Sequence, residues 1–314
     1  MKVDGWIIFG RKKRVAIFFS TVFFVGMFIL VGRAGIGFHG GKLSMSHEVT
    51  VIRSGVDGNS GIESQGFEVM NHPSGVYGYT KSWSDKDGLG VVKFERGNHS
   101  FEIDDVSILT GLGDSSVPEN GVDNWSVMIK LGAGKAIAYE EARDRVALLL
   151  SKLRAAGWGR YIETSDPRLS GKAAMQYELS EAGQIYSLDS NYMPTVEEWA
   201  QLVNVEPLWQ FYADGVFVDL TVSYWTSGGS NMGNYLVNIK ISSAADNYSP
   251  YFSDDSDDKK RNWKKYLSDK LKPARRERSM REAKLDPHVY SIDTAYREPP
   301  FEAPDFSGEA GAIH

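Results

Sequence analysis

The stretches Val216 to Ser223 (VFVDLTVS) and Tyr235 to Ile241 (YLVNIKI) decide the fold. Val216, Val218, Leu220 and Val222 fall on one side of an extended chain, and Phe217, Asp219, Thr221 and Ser223 on the other. Tyr235, Val237, Ile239 and Ile241 repeat the pattern after the loop Thr226 to Asn231. Apolar residues at a period of two on both sides of a short polar loop predict an antiparallel hairpin with one buried face.

Upstream, five short runs have strand character: His47 to Arg53 (HEVTVIR), Gly66 to Asn71 (GFEVMN), Gly90 to Arg96 (GVVKFER), Ser100 to Ile103 (SFEI) and Asn124 to Leu131 (NWSVMIKL). Gly97, Asn98 and His99 supply a turn between the third and fourth. A helix is predicted from Tyr139 to Ala156, with Ala142, Val146, Leu149, Leu150 and Leu153 on one stripe and Gly157 placed to cap its end. Trp158, Tyr161 and Ile162 then enter a short strand. Thr195-Val-Glu-Glu198 reads as a capping box opening a second helix that runs to about Val203. The order of strands, helix, strand, helix and hairpin predicts an α+β architecture of helices packed on antiparallel sheet. Two similar-sized sub-domains are expected, a β-rich one over 47–133 and an α+β one over 134–250.

The remaining segment, 251–314, is a charged helix followed by an extended tail. Residues 259–284 hold twelve Lys or Arg against Asp269, Glu277 and Glu282. Asp254, Asp255, Asp257 and Asp258 precede them and are placed to cap and neutralise a helix starting near Lys259. Its stripe of Trp263, Tyr266, Leu267 and Leu271 is expected to end at Pro273.

At the other end, Val15 to Gly32 (VAIFFSTVFFVGMFILVG) carries no charge and follows Arg11, Lys12, Lys13 and Arg14. Eighteen residues at about 1.5 Å each reach roughly 27 Å, close to the hydrocarbon thickness of a bilayer. The reading is a basic cytoplasmic tail (1–14), a transmembrane signal anchor (15–32) and a Gly-rich linker (33–46), with the bulk of the chain on the periplasmic side of the inner membrane. A cleaved signal peptide is the competing reading, with a shorter apolar core as its usual mark.

The chain has 314 residues, no cysteine and a net charge of −6. The first 33 residues hold six basic residues and one acidic residue, leaving 29 basic against 40 acidic beyond them, a balance near −11. That balance argues against nucleic acid as a partner, and the lack of cysteine excludes disulfides and thiolate metal sites. No H-E-x-x-H, G-x-S-x-G or Walker pattern is present, and the six histidines are scattered. The expectation is therefore a non-enzymatic chain with no cofactor and no metal.

Aromatic side chains cluster in Trp158 to Leu169 and Met193 to Asp219. Trp158, Trp199, Trp209 and Phe211 are read as core, and Arg160, Asp166, Arg168 and Asp214 as candidate partner-binding residues on the surface. The runs G-W-x-R-Y-I (Gly157 to Ile162), D-P-R-L-S-G (Asp166 to Gly171), Y-M-P-T-x-E-E-W (Tyr192 to Trp199) and F-Y-A-D-G-V-F (Phe211 to Phe217) carry a resemblance. Over residues 139–225 the chain resembles uncharacterised Gram-negative membrane-anchored periplasmic proteins encoded near type VI secretion effectors, notably lipases. The resemblance implies an immunity protein that binds and neutralises such an effector, for example a phospholipase. A structural or assembly component of the cell envelope, or a periplasmic enzyme without a recognisable motif, are the alternative readings.

Overall fold

The computed structural model describes residues 48–84, 88–180, 185–226 and 231–299. Among them, eleven strands form one sheet. They are β1 (Val49–Ile52), β2 (Glu68–Asn71), β3 (Val76–Ser82), β4 (Gly90–Phe94), β5 (Phe101–Asp114), β6 (Val122–Lys130), β7 (Ile137–Ala138), β8 (Gly159–Arg160), β9 (Leu208–Ala213), β10 (Val216–Thr226) and β11 (Met232–Ser243). The order across the sheet is β1-β4-β5-β6-β11-β10-β9-β8; β3 pairs the second half of β5, β2 flanks β3, and β7 adds to the end of β11.

The hairpin read from the alternation is β10 and β11, in register from Val216 opposite Ser243 to Thr226 opposite Gly233. Val216, Val218, Leu220 and Val222 are all fully buried, as are Val237 and Ile241 across from them. The sheet is mixed, because β1 runs parallel to β4 while the other pairs are antiparallel.

The division expected at residue 133 does not exist as a break. Strand β11 pairs β6 from Leu236 opposite Lys130 to Ser242 opposite Asn124, so both halves share one sheet, and His47 onward forms a single compact unit. One large core runs through it, from Ile52 and Phe94 through Trp125 to Val218 and Ile239. Trp125 lies flat across β5: a Cβ at Gly111 would fall 2.6 Å from its ring, and its indole nitrogen donates to the Arg53 carbonyl at 2.8 Å. The strand from Phe101 therefore continues through glycines that look like a loop in the sequence.

Two helices cover the inner face. In α1 (Tyr139–Ala155), Ala142, Val146, Leu150 and Leu153 are buried, while Leu149 is only partly covered. Its end is a Schellman turn: Gly157 has φ +80, its N–H donates to Arg154 and that of Trp158 donates to Leu153. After α2 (Gly171–Ser180), helix α3 (Val196–Leu202) opens with the expected box, Thr195 and Glu198 each accepting the other's backbone N–H. Trp158, Trp199, Trp209 and Phe211 are all core residues.

The outer face departs from the one-buried-face expectation at one end. Phe217 points outward yet is 1% exposed, because α4 (Ala244–Tyr248) and α6 (Trp263–Glu282), with the short α5 (Asp257–Arg261) between them in the chain, pack residues over it. Phe217 there joins Tyr161, Tyr248, Phe252, Leu267 and Leu271 in a second core. Pro273 does not end the helix; α6 passes through it. Leu267 and Leu271 fix the helix before the proline, and buried ion pairs fix it afterwards, so tertiary contacts offset the lost backbone bond.

At the β1 edge of the sheet, one side chain engages both backbone groups of Val51. Gln65 accepts from the Val51 N–H at 2.7 Å and donates to the Val51 carbonyl at 3.0 Å. No helix among the described residues is long and apolar enough to cross a membrane. The tail, span and linker expected at 1–14, 15–32 and 33–46 lie outside the described residues.

Replacing Arg278, the most buried cation of α6, is expected to cost about 3 kcal/mol, since it removes the side-chain donor to the Asp166 and Glu163 carbonyls and leaves Arg275 as the remaining arginine on Glu298. Thr195→Ala should cost only about 1 kcal/mol, a lost cap. Urea unfolding of both variants measures the difference; equal midpoints would show that the C-terminal helix is not held by this residue.

Candidate protein interface

Two of the four residues named from the sequence, Asp166 and Arg168, hold the C-terminal helix to the body. Asp166 is 4% exposed and pairs with Arg281 at 2.9 Å. Arg168 makes a bidentate contact with Glu282 at 2.8 Å from both Nε and Nη2, and its backbone N–H donates to the same carboxylate. Burial pushes the Glu282 carboxyl upward, but these Arg168 hydrogen bonds prevail and hold it below the ordinary range. Arg160 is half-buried and donates to the Leu169 and Ser187 carbonyls. Asp166 is thus buried and not a surface residue, while Arg160 and Arg168 are half-buried and bonded within the chain.

Between them sits Arg278. Its guanidinium donates to the Asp166 carbonyl at 2.8 Å, the Glu163 carbonyl at 2.7 Å and the Glu298 carboxylate at 2.7 Å. Residues 285–298 pass alongside, placing Leu285, Tyr290, Ile292 and Tyr296 over a third core of Ile162, Leu169, Ala174, Tyr177 and Tyr186.

Asp214 is the exception, with a side chain 60% exposed and 3.2 Å from the His99 ring. It stands beside Gly215 in the two-residue turn joining β9 to β10, with φ +43 and +77 respectively. Positive φ at both positions is the geometry that favours Asp-Gly in hairpins. Its carbonyl accepts from Arg96 at 2.6 Å.

The larger open surface is the outer face of β5, β6, β11 and β10, away from the end that α4 to α6 cover. Pairing sets Thr221, Asn238, Met128 and Ile108 in one row across the strands, with Ser223, Leu236 and Lys130 in the next. All seven are half-buried. Trp225 and Asn234 form the last row, and Met232 lies on the same face of β11. Trp225 is 51% exposed and Met232 40%. A large aromatic and a flexible thioether beside mixed apolar (Ile108, Met128, Leu236) and polar (Thr221, Ser223, Asn238) side chains is the make-up of a protein-contact surface. The sequence signal was present: Trp225 continues the outward parity of Phe217, Asp219, Thr221 and Ser223.

No protein-family model matches the chain, and no curated protein or solved structure matches it either. The geometry therefore stands alone. On the inner side, a pocket of about 90 Å³ lies between α1 and the segment before α3, bounded by Arg143, Leu150, Arg154, Tyr192, Trp199 and Trp209. It has room for one small group. Among the described residues no three His, Cys, Asp or Glu side chains gather closely enough to hold a metal ion.

One acid on the outer side is strongly perturbed. Burial, reinforced by the nearby Asp246, pushes the Asp123 carboxyl from 3.8 up to about 7. Asp246 itself is engaged by Asn124 at 3.0 Å and Lys240 at 3.2 Å. Across the window from 3.8 to about 7, the unfolded chain releases the Asp123 proton and the folded chain retains it. Stability contributed at this site therefore falls as pH rises through the window. Asp123→Asn should raise stability by roughly 1 to 3 kcal/mol near pH 8 and change it little near pH 4. Thermal unfolding of both proteins across pH tests this, and a gain of the same size at both ends would contradict it.

Proposed function

We propose that this chain is an inner-membrane-anchored periplasmic binding protein, and specifically an immunity protein that neutralises a type VI secretion effector by direct contact. The observation that carries the binding role is the outer face of β5, β6, β11 and β10, where Trp225 and Met232 stand exposed beside half-buried apolar and polar side chains. An exposed aromatic is the usual anchor of an interface centre. The acidic balance of the chain beyond residue 33 favours rapid encounter with a basic partner.

The partner class comes from the resemblance over residues 139–225, and the compartment from the uncharged run Val15 to Gly32. Neutralisation of a lipase requires only that the bound face block substrate access. The inhibitor needs no chemistry of its own.

The test is titration of this protein with the effector encoded beside its gene, followed by the effector's activity with and without it. Tight binding and loss of effector activity are expected. Trp225→Ala with Met232→Ala should weaken binding by about 2 kcal/mol, roughly thirtyfold, without lowering the unfolding midpoint. Absence of binding to any neighbouring effector would remove the immunity reading.

A further inference from the structure

Charge in this chain is segregated. Residues 259–284 carry +9, leaving about −20 on the rest of the chain beyond residue 33. The structure divides that basic segment between two directions. Arg278 and Arg281 point inward and Lys270 pairs with Asp255, so these charges are matched within the body. Lys265, Lys272 and Arg276 are exposed at spacings of seven and four, which puts them on one stripe of α6. Lys284 just beyond its end is exposed as well, and the exposed Met280 lies beside the stripe. The one acid on this stripe, Asp269, is engaged by Lys272. On α5, Lys260 and Arg261 balance Asp257 and Asp258.

We propose that the outward stripe of α6, Lys265, Lys272 and Arg276, together with Lys284 just beyond the helix, rests on an anionic phospholipid surface. One feature selects a membrane over other polyanions. Lys265, Lys272 and Arg276 share one side of a single helix, so a flat surface reaches all three at once. Each basic residue near an anionic surface contributes about fivefold in partitioning. Three net charges are too few to recruit a free protein firmly but enough to orient one already tethered. The purpose of the contact thus rests on the membrane-anchored reading, while its detection does not.

The body from His47 onward, which contains the whole sheet and its three cores, is mixed with phosphatidylethanolamine vesicles with and without phosphatidylglycerol, and sedimented. Binding is expected only with phosphatidylglycerol, and it should disappear at high salt. The triple variant K265E/R276E/K284E should lose at least tenfold, with its unfolding midpoint unchanged. K135E, on an exposed loop, should bind as the parent does. Equal sedimentation with both vesicle types, no binding at low salt, or indifference to the triple reversal overturns the proposal. So does a stripe-dependent gain of binding to a single-stranded oligonucleotide when vesicles are ignored. None of these results bears on effector binding through Trp225 and Met232.

Discussion

Strand β11 is hydrogen-bonded on both sides, to β10 from Gly233 to Ser243 and to β6 from Leu236 to Ser242, and the rest of the molecule depends on that double pairing. It joins a β-rich N-terminal stretch to a later hairpin more than one hundred residues away. Because side chains alternate strictly, one register places Tyr235, Val237, Ile239 and Ile241 against the helices from both directions. A slip of one residue would turn the entire row outward. The helices α1 and α3 then have a single continuous surface to cover, and the sheet has no internal boundary at which two domains could part.

The other organising feature is electrostatic. Helix α6 carries Arg278 and Arg281 to the segment Ile162 to Leu169, where carbonyls and the Asp166 carboxylate receive them, and Glu282 of α6 receives Arg168 in return. Isolated buried charges are costly, and the arrangement is stable only because each guanidinium meets several acceptors in good geometry. This also explains a helix that tolerates Pro273. The proline weakens the backbone ladder at one point, while contacts on both sides fix the axis.

Features encoded locally were legible. The capping box at Thr195 and Glu198, the stripe of α1, the Gly157 cap and the alternation of β10 and β11 each need only neighbours a few residues away. Long-range demands were not. Gly111 and Gly113 sit inside β5 because Trp125 and Tyr77 lie across them, which no window of the sequence contains. Asp166 and Arg168 look like surface ions in their own segment, and their partners stand more than one hundred residues later. Asp214-Gly215 is a different case: the turn signal was local, and the aromatic density around it drew the reading toward an interface. Phe217, on the polar side of its strand, was an outlier whose explanation lies in α6.

The side chain of Gln65 has a consequence for how such a chain persists at high local concentration. By accepting from and donating to Val51, its primary amide imitates one residue of a neighbouring strand and then stops. A backbone presented there could be extended by another molecule, residue after residue; an amide side chain offers no continuation. Val51 is thereby saturated without the sheet being lengthened. On the neighbouring β2, Glu68 is exposed, and its charge opposes stacking of identical copies. On the side of the sheet that carries β1 and β2, growth is thus opposed at one strand by mimicry and at the other by repulsion, while the open face stays available to a different protein.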